Sequence, residues 1–188
     1  MPVAAAGQDY VTVAVASNFA ATARDVAAQF EEQSNYETRI TTASTGKLYA
    51  QIVNGAPFDV LLAADVERPK RLETGGAGVP GSRFTYALGE LVLWSRQVED
   101  CRAALHSNAA GRIAIANPEN APYGAAAKSF LQRSGLWDSL RDRLVIGENI
   151  AQTLQFAASG NAQLGFIAAS QLQAPSLPPA SCSWPVPD

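Results

Sequence analysis

Four short stretches place small polar residues or exposed backbone where a helix is expected to begin: Ser17-Asn18, Ser44-Thr45-Gly46, Ala121-Pro122-Tyr123-Gly124 and Glu148-Asn149-Ile150. A helix start has backbone N–H groups without intrahelical partners and the positive end of the helix dipole. Ser, Thr and Asn also cap helices for structural reasons alone, and capping accounts for any one of these sites. Four such starts around one cleft form a set of neutral donors, suited to a fully ionised anion that brings no hydrogens of its own.

Other chemistries lack their groups. Gly76-Ala-Gly78-Val-Pro-Gly81 matches GxGxxG, but it follows a helical pattern and has Pro80 where a dinucleotide-binding helix would start, so a loop is expected. Ser44-Thr45-Gly46-Lys47 ends like a phosphate-binding loop, yet Thr41 stands at the first glycine position and Leu48 follows the lysine. There is no GxSxG, and the single histidine, His106 in LHSNAAG, is expected in a surface loop. One histidine and two separated cysteines give a transition-metal site nothing to build on. Cys101 and Cys182 form no CxxC, and two readings stay open: a disulfide or two separate thiols.

The elements that must position the four stretches follow from patterning. VTVAVAS, TRITTAS and DVLLAAD alternate with FAATARDVAAQFEE, GKLYAQIVNG and VERPKRLETGG, which predicts βαβ units and a parallel sheet. Phe19, Ala23, Val26, Ala27 and Phe30 form an apolar stripe to lie on that sheet. RFTYALGELVLWSR is long for a strand and predicts a crossing between lobes, hinged near 87–90. RIAIANP, PYGAAAKSFLQRSG, RLVIGEN, IAQTLQFAASG and LGFIAAS then repeat the alternation. The organisation expected is one α/β lobe over 1–87 and a second over 88–188, with a Pro- and Ser-rich tail from 174 whose prolines, Pro178, Pro179, Pro185 and Pro187, exclude regular structure.

With 47% apolar and 16% charged residues among 188, the chain has the composition of a globular protein, and no run approaches the ~18 apolar residues of a membrane span. A net charge of -3 argues against nucleic acid, and Arg68, Lys70 and Arg71, interleaved with Glu67 and Glu73, are expected on a solvated helix face. The start MPVAAAGQDY lacks the charged and apolar regions of a signal peptide, and its AAAG suggests the remnant of a cleavage site.

ASNF (16–19), ASTGKLYAQIVNGAPFDVLLAAD (43–65), GSRFTYALGELVLWS (81–95), IANPENAPYG (115–124) and ASGNAQLGFIA (158–168) resemble the molybdate-binding proteins of bacterial ABC uptake systems, from about Val11 to Trp184. The resemblance implies a two-lobed periplasmic-binding-protein fold of type II, with molybdate or tungstate held in the interlobe cleft. It implies no cofactor and no catalysis, periplasmic localisation after export, and a membrane permease as partner, touched only peripherally. Ser17 and Asn18 would donate from the first lobe, Thr45 with Ser44 beside it as neighbour or cap, and Tyr123 and Ile150, following Asn149, through backbone N–H groups of the second. Some members use a tyrosine where Ala168 stands here, so Asn18 is expected to supply the replacement donor. Lys47 stands where an uncharged residue is familiar and is expected to point to solvent. By the same resemblance the C-terminal part of the first lobe, a return strand and covering helices, is missing from this chain. The competing readings are an enzyme on the same fold acting on a small phosphorylated or sulfated ligand, and a truncated fragment that binds weakly.

Overall fold

The computed structural model describes residues 10–107, 111–174 and 177–187; the AAAG stretch near the start lies outside them. The first strands and helices are β1 (Tyr10–Ala16), α1 (Ala20–Gln33), β2 (Glu37–Ala43), α2 (Thr45–Val53), β3 (Val60–Leu62) and α3 (Glu67–Thr74). Their β-branched strands alternate with helices, and all three pair in parallel in the order β2-β1-β3, with Ala16 opposite Ala43 at the carboxyl end.

The second group is β4 (Leu91–Ser95), α4 (Cys101–His106), β5 (Ile113–Ala116), α5 (Pro122–Arg133), α6 (Trp137–Leu140), β6 (Leu144–Gly147), α7 (Ile150–Ser159), β7 (Leu164–Ala168) and β8 (Cys182–Pro185). These strands form a five-stranded sheet ordered β6-β5-β7-β4-β8. β5 runs parallel to β6 and β7, whereas β4 is antiparallel to both of its neighbours, so the sheet is mixed and not parallel throughout.

Three further expectations are corrected. The long strand is only Leu91–Ser95, because residues 83–90 have no ladder partner among the described residues; the chain crosses there outside either sheet. The proline-rich tail does form a strand. β8 takes the outer edge beside β4, with Pro185 as its last residue, a position where a missing N–H breaks no interior ladder. His106 lies in the last turn of α4, exposed, where a basic side chain faces the helix's negative end.

The two sheets differ in how fully they are covered. In the second, Leu93, Leu105, Ile113, Ile115, Leu131, Leu164 and Phe166 are all within 1% of fully buried and pack into one cluster. The first buries Val15 and Leu48 completely but leaves Val26 of the α1 stripe 56% exposed and Phe30 41% exposed. Phe84 and Leu88, on the crossing segment, are 78% and 92% exposed. Buried apolar area sets the free energy of local opening. Amide hydrogen exchange is therefore expected to show weaker protection over 10–86 than over 91–168; uniform protection in a monomeric sample would contradict this ordering.

Candidate functional site

The carboxyl ends of β1, β2, β3, β5 and β6 converge on one cavity between the two sheets. It is lined by Ala16, Ser17, Asn18, Ser44, Thr45 and Ala64 on one side and by Ala121, Pro122, Tyr123 and Ile150 on the other. Strand ends are where an open α/β sheet leaves room for a ligand, because the following helices start there. Six of the seven expected residues meet here. Asn149 does not line the cavity: its amide oxygen accepts from the N–H groups of Ala151 and Gln152, both at 3.0 Å, and so caps α7.

An account of N–H groups at each helix start shows what is left for a ligand. At α2, Gly46 N–H donates to the Asn120 carbonyl at 2.8 Å, Lys47 N–H to Ser44 Oγ at 3.4 Å and Leu48 N–H to the Ser44 carbonyl at 3.1 Å. Thr45 N–H remains, at the edge of the cavity. At α7, Asn149 takes up the N–H groups of Ala151, Gln152 and Thr153, and that of Ile150 remains. At α5, Pro122 has no N–H, so Tyr123 presents the first one of that helix. The close approach of α5 to the sheet needs Gly124, since a Cβ there would run into the Ala116 carbonyl.

Side chains add to these donors. Thr45 is fully buried, and its Oγ1 accepts from Ala64 N–H at 3.1 Å, which leaves its own hydrogen free to donate. Asn18 is held by the second lobe: Ser170 Oγ donates to its carbonyl at 2.8 Å, and its side-chain amide lies beside the Tyr123 hydroxyl. Burial pushes the Tyr123 hydroxyl above its ordinary pKa, the Asn18 hydrogen bond lowers it in part, and the negative charge of Glu90 raises it further. The group therefore stays protonated at neutral pH. No charged side chain lines the cavity among the described residues.

Several contributors carried no sequence signal. Gln171, 9% exposed, accepts from Ala168 N–H at 2.9 Å and donates to the Ile150 carbonyl at 3.1 Å, fixing the peptide beside the cavity. Arg68, expected on a solvated face, is instead part-buried: its guanidinium donates to Asp65 at 2.6 Å and to the Glu119 carbonyl of the opposite lobe at 2.9 Å. Lys47 points away from the cavity as expected, but it pairs with Glu148 across the cleft at 2.9 Å.

Two α/β lobes with neutral donors gathered between their strand ends have the architecture of a solute-binding protein. The chain belongs to the bacterial extracellular solute-binding protein family, whose model matches residues 11–188. It is 48% identical over 180 residues to the molybdate-binding protein ModA of Azotobacter vinelandii, covering 94% of this chain and 71% of that one. It is 44% identical over 187 residues to the ModA of Rhodobacter capsulatus, covering 98% of this chain and 72% of that one. Among solved structures, the Azotobacter vinelandii periplasmic molybdate-binding protein superposes with a TM-score of 0.87 at 40% identity, over 94% of this chain and 79% of the other.

Proposed function

We propose that this chain binds molybdate or tungstate in the interlobe cavity and delivers it to the permease of an ABC transporter from the periplasmic side. The two lobes are taken to divide near residues 87–90. The observation that carries this reading is the cavity itself, lined only by uncharged groups at the starts of four helical segments. The names of the relatives agree with it. The Cys101–Cys182 disulfide fits an oxidising compartment outside the cytoplasm.

In this reading Ser17, Asn18 and Thr45 donate from the first lobe, and the N–H groups of Tyr123 and Ile150 from the second, with Ser44 and Asn149 as caps that orient them. Isothermal calorimetry with sodium molybdate tests it: one site per chain is expected, and no heat with molybdate or tungstate would sink the reading.

The Asn18 contact gives a sharper test. Asn18→Ala removes a donor to a charged group and is expected to weaken molybdate binding by about 1.5 to 3 kcal/mol. Position 123 donates to the guest through its backbone N–H, and its hydroxyl lies beside the Asn18 amide. Tyr123→Phe should cost about 0.5 to 1.5 kcal/mol, the worth of one neutral hydrogen bond that holds Asn18 in place. A larger loss at 123 than at 18 would reverse the assigned roles.

A further inference from the structure

The lobes touch each other directly beside the cavity, and the contact is built on backbone. Gly46, in the first turn of α2, donates its N–H to the carbonyl of Asn120 at 2.8 Å. A Cβ at position 46 would lie 2.8 Å from that same oxygen and 2.9 Å from the Asn120 Cα. Neither atom can rotate away as a side-chain tip could. The opposing loop is itself braced: Asn117 N–H donates to the Gly147 carbonyl at 2.7 Å, Asn117 Oδ1 accepts from Glu119 N–H at 2.9 Å, and the Asn117 carbonyl accepts from the N–H groups of Asn120 and Ala121. Arg68 flanks the contact, clamped by Asp65 and reaching the Glu119 carbonyl. On the other flank lies the Lys47–Glu148 pair.

We propose that Gly46 is the stop that sets how far the two lobes close, and thereby the gap between the two sets of donors. It is a positioning residue: its N–H is spent on the opposing lobe, and it acts on the guest only by fixing where Thr45 stands relative to Tyr123 and Ile150. Glycine is required by proximity and not by backbone angle, since Gly46 is not among the glycines with positive φ. The Arg68 contact with the Glu119 carbonyl holds the stop engaged. The exposed Lys47–Glu148 pair contributes little, with side chains 45% and 66% accessible. The consequence for size selection rests on the oxyanion reading above; the stop itself does not.

The test is Gly46→Ala in the full chain, with spin labels on exposed positions of α3 and α5 to give the distribution of interlobe distances, and calorimetry with molybdate. The shortest interlobe separation seen in the unsubstituted protein is expected to be absent from the variant, and molybdate affinity to fall about 10- to 100-fold. Thermal melting without molybdate should be unchanged or raised, because alanine is the better helix former, which separates a blocked closure from a damaged fold. A variant that reaches the same shortest separation overturns the proposal, as does an unsubstituted protein that never reaches the separation seen here. If neither protein takes up molybdate, the oxyanion reading fails while the distance comparison still decides the stop.

Discussion

Sulfate is expected to bind at least about 30-fold more weakly than molybdate, although both are tetrahedral dianions, because two donors left unpaired in the site cost about 1 to 3 kcal/mol each. The proposed donors stand on separate elements: Ser17 and Asn18 after β1, Thr45 at the start of α2, Tyr123 on α5 and Ile150 on α7. Three of them are tied down behind the cavity, Thr45 by Ala64 N–H, Asn18 by Ser170 and the Ile150 carbonyl by Gln171. A smaller anion can be met only by drawing the lobes together, and Gly46 already rests on Asn120 at 2.8 Å. Sulfate then touches one lobe's donors or the other's. Molybdate, with its longer bonds, spans both. Competition calorimetry checks this, and equal affinities would defeat selection by size.

The second large effect concerns the disulfide. Cys101 and Cys182 are 81 residues apart in sequence and are bonded, with Cα atoms 5.7 Å apart. Of the two readings that the sequence left open, the bridge is the one found. It ties the first residue of α4 to the first of β8, so the edge strand is held to the body of the second lobe. Cross-linking residues this far apart removes loop entropy from the unfolded chain, worth about 4 to 5 kcal/mol in the chain-entropy model. For a chain of this size that corresponds to a fall in Tm of roughly 10 to 15 °C. Cys101→Ser with Cys182→Ser is the variant to melt, and because the bridge is remote from the cavity the molybdate affinity of the folded protein should be retained. A double variant that melts with the unsubstituted protein would mean that β8 stays docked without the bridge.

Much of the site could be read before any fold was known. Ser17, Asn18, Thr45, Tyr123 and Ile150 stand at strand-to-helix junctions, and junctions are written locally: a β-branched run ends, a small polar residue or a proline follows, and a helical period begins. The disagreements are of one kind. Asn149 and Ser44 each stand beside an expected donor; Asn149 is a cap that does not line the cavity, whereas Ser44 caps α2 through its Oγ and also lines it. A polar residue at a helix start can serve either end, and only the direction of its side chain separates the two. Arg68 was assigned to solvent because its neighbours are charged, yet its guanidinium is satisfied by a carbonyl 51 positions away.

The strands fared similarly. Residues 83–95 have β-prone composition throughout, but a strand exists only where another strand supplies hydrogen bonds, and 83–90 have no such partner among the described residues. Cys182–Pro185 of the tail became β8 because the outer side of β4 offered an edge and the disulfide held Cys182 beside it. By itself, then, the sequence determined the α/β alternation and the four helix starts, since each rests on contacts between residues close in the chain. Tertiary structure alone decided the mixed second sheet, the pairing of the cysteines, the bracing of Asn18 and Ile150, and the meeting of Gly46 with Asn120. Those depend on which surfaces face each other across long sequence separations, and no local pattern of residue types encodes the distance between two lobes.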